Sequence, residues 1–171
     1  MEGLIERARR VELLLLDVDG VLTDGRILIL PGGGEGKFFH IHDGHGIRLL
    51  QKAGVPVGIL SARASEATSR RAEELNVALC IQDARDKLTT ARQIAADRGV
   101  GLDRMAFVGD DELDLALLGE VGLAVAPSDA RPEARAVAHW VTPSRGGHGA
   151  VRDVTDLLCQ ARSHGVVDPP I

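Results

Sequence analysis

The sequence predicts an α/β fold: a single doubly wound, Rossmann-like parallel sheet with helices on both faces and a β-hairpin inserted after the first strand. Short apolar runs rich in Val, Ile and Leu recur from Leu13, Val55, Val77, Met105 and Gly122, each continuous in the way of a strand buried on both faces. Segments of helical character lie between them, and that alternation calls for right-handed crossovers and a parallel sheet. Arg26–Leu30 and Lys37–Ile41 break the rhythm as two extended runs on either side of Pro31-Gly-Gly-Gly-Glu-Gly36. They read as a hairpin, about residues 26–41, with a flexible tip.

Each element has a local reason. The leucines from Leu13 form the first strand, and the hairpin follows it. A helix over 44–53 ends at Gly54, a residue suited to a C-terminal cap, before the strand from Val55. Ser65 opens a helix to Leu75, and Asp86 opens another to Arg98 that Gly99 closes. The strand from Met105, a helix over 112–119 and the strand from Gly122 complete the pattern. We expect one domain over residues 1–171, with the proline-containing tail, about 163–171, fraying.

Composition excludes several classes. A formal net charge of −5, with Lys and Arg scattered among acids, argues against nucleic acid as a partner. The longest aliphatic run, Leu13–Leu16, is far short of the roughly 20 residues that cross a bilayer. The N-terminal MEGLIERARR has no apolar signal core, so a cytoplasmic protein without membrane contact is expected. Cys80 and Cys159 lie in apolar and helical runs without a C-x-x-C pairing, and read as reduced core residues.

In an open α/β sheet the ligand sits beyond the carboxyl ends of the strands. Asp17 and Asp19 follow the first strand, Ser61 the second, Lys87 the third, and Asp110, Asp111 and Asp114 the fourth. Carboxylates gathered at one edge repel unless a cation joins them, and all-oxygen ligands suit Mg²⁺. A hydroxyl and an ammonium beside that metal supply donors and positive charge for a phosphoryl group. Two carboxylates two residues apart serve two roles, one attacking phosphorus and the other handling the leaving group's proton and then water's.

These residues carry a resemblance. Asp17-Val-Asp-Gly-Val-Leu-Thr-Asp24, Ser61, Lys87 and Gly109-Asp-Asp-Glu-Leu-Asp114, in this order, resemble the four motifs of the haloacid dehalogenase superfamily of phosphatases. With no cap domain, a hairpin after the first motif and the stretches FFHIHDGHGI and RGGHGAVRD, the chain is similar to members acting on phosphorylated keto-acid sugars. The resemblance implies Asp17 as nucleophile, Asp19 as general acid and base, and Ser61, Ala62 and Lys87 as the phosphate clamp. It further implies Mg²⁺ on Asp17, Asp110 and the Asp19 backbone carbonyl, with Asp111 and Asp114 in support. For the sugar acid it points to Asp43, Gly44, Arg63, Arg145 and Arg152. It implies a homotetramer, in which hairpin and C-terminal segment cover a neighbour's site, and a substrate such as 3-deoxy-D-manno-octulosonate 8-phosphate.

The chain departs from the family pattern at two places. Ser61-Ala62-Arg63 stands where Thr-Gly-Arg is usual, which keeps the hydroxyl and a backbone N–H. His40 and His42 stand where an Asn and an Arg are frequent. A sialate 9-phosphate is the nearer alternative substrate, against which Arg63 argues, and a non-catalytic oligomerisation module is the alternative class.

Overall fold

The leucines of β1 (Leu13–Leu16) are fully buried and serve both sides of the central sheet. Leu14 and Leu16 point to one face, Leu13 and Leu15 to the other, as the two-residue period of a strand requires. The structure, a computed structural model, describes residues 2–163; the expected fraying beyond Ser163 lies outside them.

Around β1 the other strands run parallel in the order β5 (Leu79–Ile81), β4 (Val57–Leu60), β1, β6 (Met105–Val108), β7 (Leu123–Ala126), β8 (Trp140–Val141). The chain moves outward from β1 to β5, then returns past β1 to β6 and on to β8. Connections therefore leave β1 and β6 in opposite directions, and a crevice opens between their carboxyl ends. On one face α1 (Glu2–Arg9), α2 (Ile41–Lys52), α3 (Glu66–Leu75) and α7 (Ala150–Ser163) cover Leu14, Leu16 and Ile59. On the other, α4 (Lys87–Arg98), α5 (Leu115–Leu118) and α6 (Pro132–Val137) cover Leu13, Leu15 and Phe107.

The expected parallel sheet and its helices are present, with differences that have local causes. The hairpin is only β2 (Leu28–Ile29) paired antiparallel with β3 (Glu35–Gly36). Lys37–Ile41 does not form its returning strand, because His40 caps α2: its Nδ1 accepts from the His42 N–H at 3.2 Å, and Ile41 already begins the helix. β5 is an edge strand with Cys80 exposed, so neither full burial nor a core cysteine holds there; Cys159 is half-buried on α7, and both thiols are free. Ser65 occupies the N-cap of α3 without a side-chain cap bond, whereas Asp86 caps α4 through the Thr89 N–H at 3.0 Å. Helices α1 and α6 and strand β8 were not expected; each is short, and β8 spans two residues.

Because β1 supports both faces, its truncation is felt throughout. Leu15→Ala should cost about 2–5 kcal/mol of unfolding free energy, read from the urea midpoint at unchanged slope.

Candidate active site

The site begins where β1 stops. The Asp17 N–H still joins the ladder by donating to the Val108 carbonyl at 3.0 Å, which fixes its Cα as firmly as a strand residue. The chain then turns: the Thr23 N–H and hydroxyl both donate to the Val18 carbonyl, at 3.0 and 3.3 Å, closing a loop that carries Asp19 and Gly20. Gly20 has φ +92°, and a Cβ there would strike the Asp110 carboxylate. The β1 loop and the segment after β6 thus approach closely enough for Asp17 and Asp110 to share one space.

Asp17, Asp19, Ser61, Ala62, Arg63, Lys87, Asp110, Asp111 and Asp114 line a single cavity of about 160 Å³. Leu113 also lines it, an apolar residue that no chemical motif flags. A larger open groove over α2 and α3, about 710 Å³ and lined by Arg48, Gln51 and Glu74 among others, contains none of these groups.

Lys87 organises the interior. It is the first residue of α4, its side chain is 3% exposed, and its ammonium lies 2.8 Å from Asp17 Oδ1 and 2.5 Å from Asp114 Oδ1. The Phe107 ring packs beneath it, with its centroid 5.7 Å from Nζ. Burial lowers the Lys87 pKa, but Asp17 and Asp114 outweigh it and the net direction is up, so the group stays an ammonium. Asp114 has no oxygen to spare: Oδ2 accepts from the backbone N–H groups of Asp110 at 2.8 Å and Asp111 at 3.2 Å. Asp111 lies at the rim and caps the 3₁₀ turn Glu112–Asp114.

The remaining carboxylates are under electrostatic pressure. Burial pushes Asp17 up to about 6 despite Lys87. Burial, with the charges of Asp17, Asp114 and Asp111, pushes Asp110 up to about 8. Asp110 Oδ1 is buried without a hydrogen-bond partner among the described residues, and oxygens of Asp17, Asp110 and Asp114 lie within 4.8 Å of one another. An orphaned acceptor beside repelling carboxylates fits a hard divalent cation. Since both Asp114 oxygens are engaged, Asp17 and Asp110 have the capacity to bind it.

Asp19 sits at the mouth and is bonded by Lys37, a residue that sequence reasoning missed. Lys37 lies just past β3, and its Nζ is also 3.7 Å from Glu35 Oε1. Glu35 Oε2 in turn receives Arg63 at 3.0 Å. The nearby Ser65 hydroxyl, with the Lys37 and Arg63 charges, holds the Glu35 carboxyl below its usual range against a desolvation that raises it. The only signal was Glu35-Gly-Lys37, opposite charges on one side of an extended segment. Ser61 is buried, its hydroxyl accepting from the Arg63 N–H at 3.2 Å and donating to the Arg63 carbonyl at 3.0 Å, which shapes the turn after β4.

Four predicted substrate contacts lie elsewhere. Asp43 is buried in α2 and accepts from the Arg152 N–H at 2.8 Å, so its carboxylate secures the start of α7. A Cβ on Gly44 would strike the Arg71 guanidinium; the position serves the α2–α3 contact. Arg145 pairs with Asp129 at 3.1 Å and Arg152 with Asp156 at 2.7 Å along α7. Next to Arg145, a Cβ on Gly146 would hit the Gly20 carbonyl, and the Gly147 N–H donates to the Val21 carbonyl at 2.9 Å. That loop buttresses the β1 loop.

Residues 81–153 match the model of the haloacid dehalogenase-like hydrolases. The 3-deoxy-D-manno-octulosonate 8-phosphate phosphatase KdsC of Yersinia pestis is 38% identical over 161 residues, covering 94% of this chain and 86% of that protein. The chain belongs to the haloacid dehalogenase-like hydrolases. Another member, KdsC of Escherichia coli K12, is 37% identical over 92% of this chain and 84% of its own. The crystal structure of the corresponding phosphatase from Moraxella catarrhalis, in complex with magnesium, phosphate and KDO, superposes with a TM-score of 0.94 at 35% identity, covering 96% of this chain and 94% of that one.

For this hydrolase the raised carboxyls give a pH-dependent linkage. Without metal the folded state holds the Asp17 and Asp110 protons more tightly than the unfolded chain. The resulting stability is present below the unfolded carboxyl range and is lost as pH rises through about 6 and about 8. A cation on these groups must displace those protons. Mg²⁺ should therefore raise the melting temperature more at about pH 8.5 than at about pH 5, relative to chelator; equal increments would exclude the linkage.

Proposed function

We propose that the chain is a magnesium-dependent phosphomonoesterase that hydrolyses 3-deoxy-D-manno-octulosonate 8-phosphate to the free sugar acid and phosphate. The observation that carries this reading is the carboxylate pair at the end of β1, with Asp17 gripped by Lys87 and Asp19 at the cavity mouth. The similarity to enzymes named for this substrate supports it.

Asp17 attacks phosphorus while the leaving sugar oxygen takes a proton from the Asp19 carboxyl, which gives the free hydroxyl and an aspartyl phosphate. Asp19, now a carboxylate, accepts a proton from water as that water attacks phosphorus, releasing phosphate and restoring both acids. Lys87, the Ser61 hydroxyl and the Ala62 N–H face the non-bridging oxygens. Asp17 and Asp110, with the Asp19 backbone carbonyl, would hold magnesium, which supplies charge neutralisation at the phosphoryl group. Asp111 and Asp114 support this set, Asp114 by fixing Lys87 and the Asp110 backbone.

We assign the sugar carboxylate to Arg63, which would exchange its Glu35 partner for it. It lines the cavity, and its planar guanidinium suits bidentate binding. Arg145 and Arg152 do not line this cavity. Asp17→Asn should abolish phosphate release, by a factor of about 10⁴ or more, without unfolding the protein. On a panel with sialate 9-phosphates, hexose 6-phosphates and p-nitrophenyl phosphate, the octulosonate ester should give the highest kcat/KM. Arg63→Ala should erase its lead while sparing p-nitrophenyl phosphate. A native protein inactive on the whole panel would leave the oligomerisation-module reading.

The chain acts as a homotetramer in the cytoplasm, in the supply of sugar acid for lipopolysaccharide. Support comes from the hairpin, whose Leu28, Ile29 and Leu30 are exposed, Ile29 by 80%, with Phe38 and Ile41 exposed beside them. Such a contiguous apolar strip next to an uncapped site marks an interface. No described helix is long and apolar enough to cross a membrane. Ile29→Asp should shift the sedimentation profile toward smaller species and lower discrimination between the octulosonate ester and hexose 6-phosphates; an unchanged tetramer would remove the hairpin from the interface.

A further inference from the structure

We propose that Lys37 is a positioning residue for proton transfer, aligning the Asp19 carboxyl with the departing sugar oxygen. The inference rests on the phosphatase reading and assigns a task in that reaction to the hairpin, which the motifs leave without one.

The warrant is the placement of a charge. A lysine in a loop ordinarily lays its stem on the surface and keeps its ammonium in water. Lys37 does the opposite: its side chain is 1% exposed, on a segment whose neighbour Phe38 stands in solvent. Removing an ammonium from water is costly unless a hydrogen-bonded partner meets it. The partner is Asp19 Oδ1, with Glu35 behind at 3.7 Å and Arg63 behind Glu35 at 3.0 Å. A row of alternating charge thus runs from the half-exposed Arg63 through Glu35 on β3 to Lys37, which holds Oδ1 of Asp19 and leaves Oδ2 to carry the transferred proton.

Asp19 needs such a tether. Asp17 is fixed by the sheet ladder and by Lys87, but Asp19 sits on the turn beyond the strand, and Lys37 is the bonding partner shown for its carboxylate. Misplacement of a proton donor by about 1 Å lowers a rate by about a hundredfold. Lys37 restricts Asp19 to one orientation from outside the strand, while the carboxyl stays beside the place where the leaving oxygen arrives.

The test separates leaving groups. A sugar alkoxide must be protonated as it leaves, whereas p-nitrophenolate departs without a proton. With Lys37→Met, kcat on the octulosonate ester should fall about tenfold or more with KM little changed. The single-turnover release of p-nitrophenolate by excess enzyme should keep its wild-type rate, and Lys37→Arg should recover most of the lost kcat. Equal loss on both esters, or a change in KM alone, overturns the proposal. Should Lys37→Met fail to fold, Glu35→Gln loosens the same row without stranding a buried ammonium: the same split in smaller measure supports the proposal, and unchanged rates on both esters overturn it. Wild-type enzyme inactive on every ester would refute the phosphatase reading, whereas an active wild type without the split refutes the role of Lys37 alone.

Discussion

The order of this site depends on one ammonium between two carboxylates. Asp17 comes from the end of β1, Lys87 from the start of α4 and Asp114 from the turn after β6, so their contact ties together segments far apart in sequence. Removing one partner from such a buried set leaves an uncompensated charge, at about 3–5 kcal/mol. The ammonium also falls short of balancing what surrounds it. Asp17, Asp110 and Asp114 meet one lysine, and the two acids with rising pKa are the two with coordination capacity left. The imbalance that destabilises the metal-free site is the same one that creates affinity for a divalent cation.

That arrangement requires loops packed without room for side chains. The β1 loop lies against Asp110 on one side and against the segment around Gly146 on the other, and a Cβ at Gly20 or Gly146 would break one contact or the other. The Gly146 segment is itself held by Asp129, which accepts from the Gly146 N–H at 2.9 Å. Asp43 then fixes the start of α7 just beyond it. Asp43 therefore acts one layer back, helping to hold the backbone that presents Asp17 and Asp19.

How much of this was legible in the sequence follows from what each signal encodes. Strand runs and the residues ending them are short-range information, and Asp17, Ser61, Lys87 and Asp110 converge because a parallel sheet places all carboxyl ends on one edge. The hairpin's return was misjudged because an extended reading of Lys37–Ile41 competes with the His40 cap, and capping prevails once α2 can pack between α3 and α7. The surroundings of Asp43 and Arg152 were not legible for another reason: lying near motif residues in sequence says nothing about which face of α2 or α7 a side chain takes. Lys37 escaped notice because a loop lysine reads as solvated, and only the fold reveals the carboxylates it meets.

The two carboxylates of β1 differ in how they are held, and the difference matches the tasks proposed for them. A nucleophile must meet phosphorus at a fixed point, since the phosphoryl group is itself fixed by its donors. Asp17 is 7% exposed, in the strand ladder and bound from within by Lys87. A proton donor must instead follow a leaving group whose position varies with the alcohol. Asp19 is beyond the ladder, its side chain 22% exposed, and held from outside by a residue of the hairpin segment. A rigid inner acid and an outer acid tethered by a separate element allow one core to keep its phosphoryl chemistry while the hairpin adapts to the alcohol. In a chain with no inserted cap, that hairpin segment reaches the proton-handling acid through Lys37.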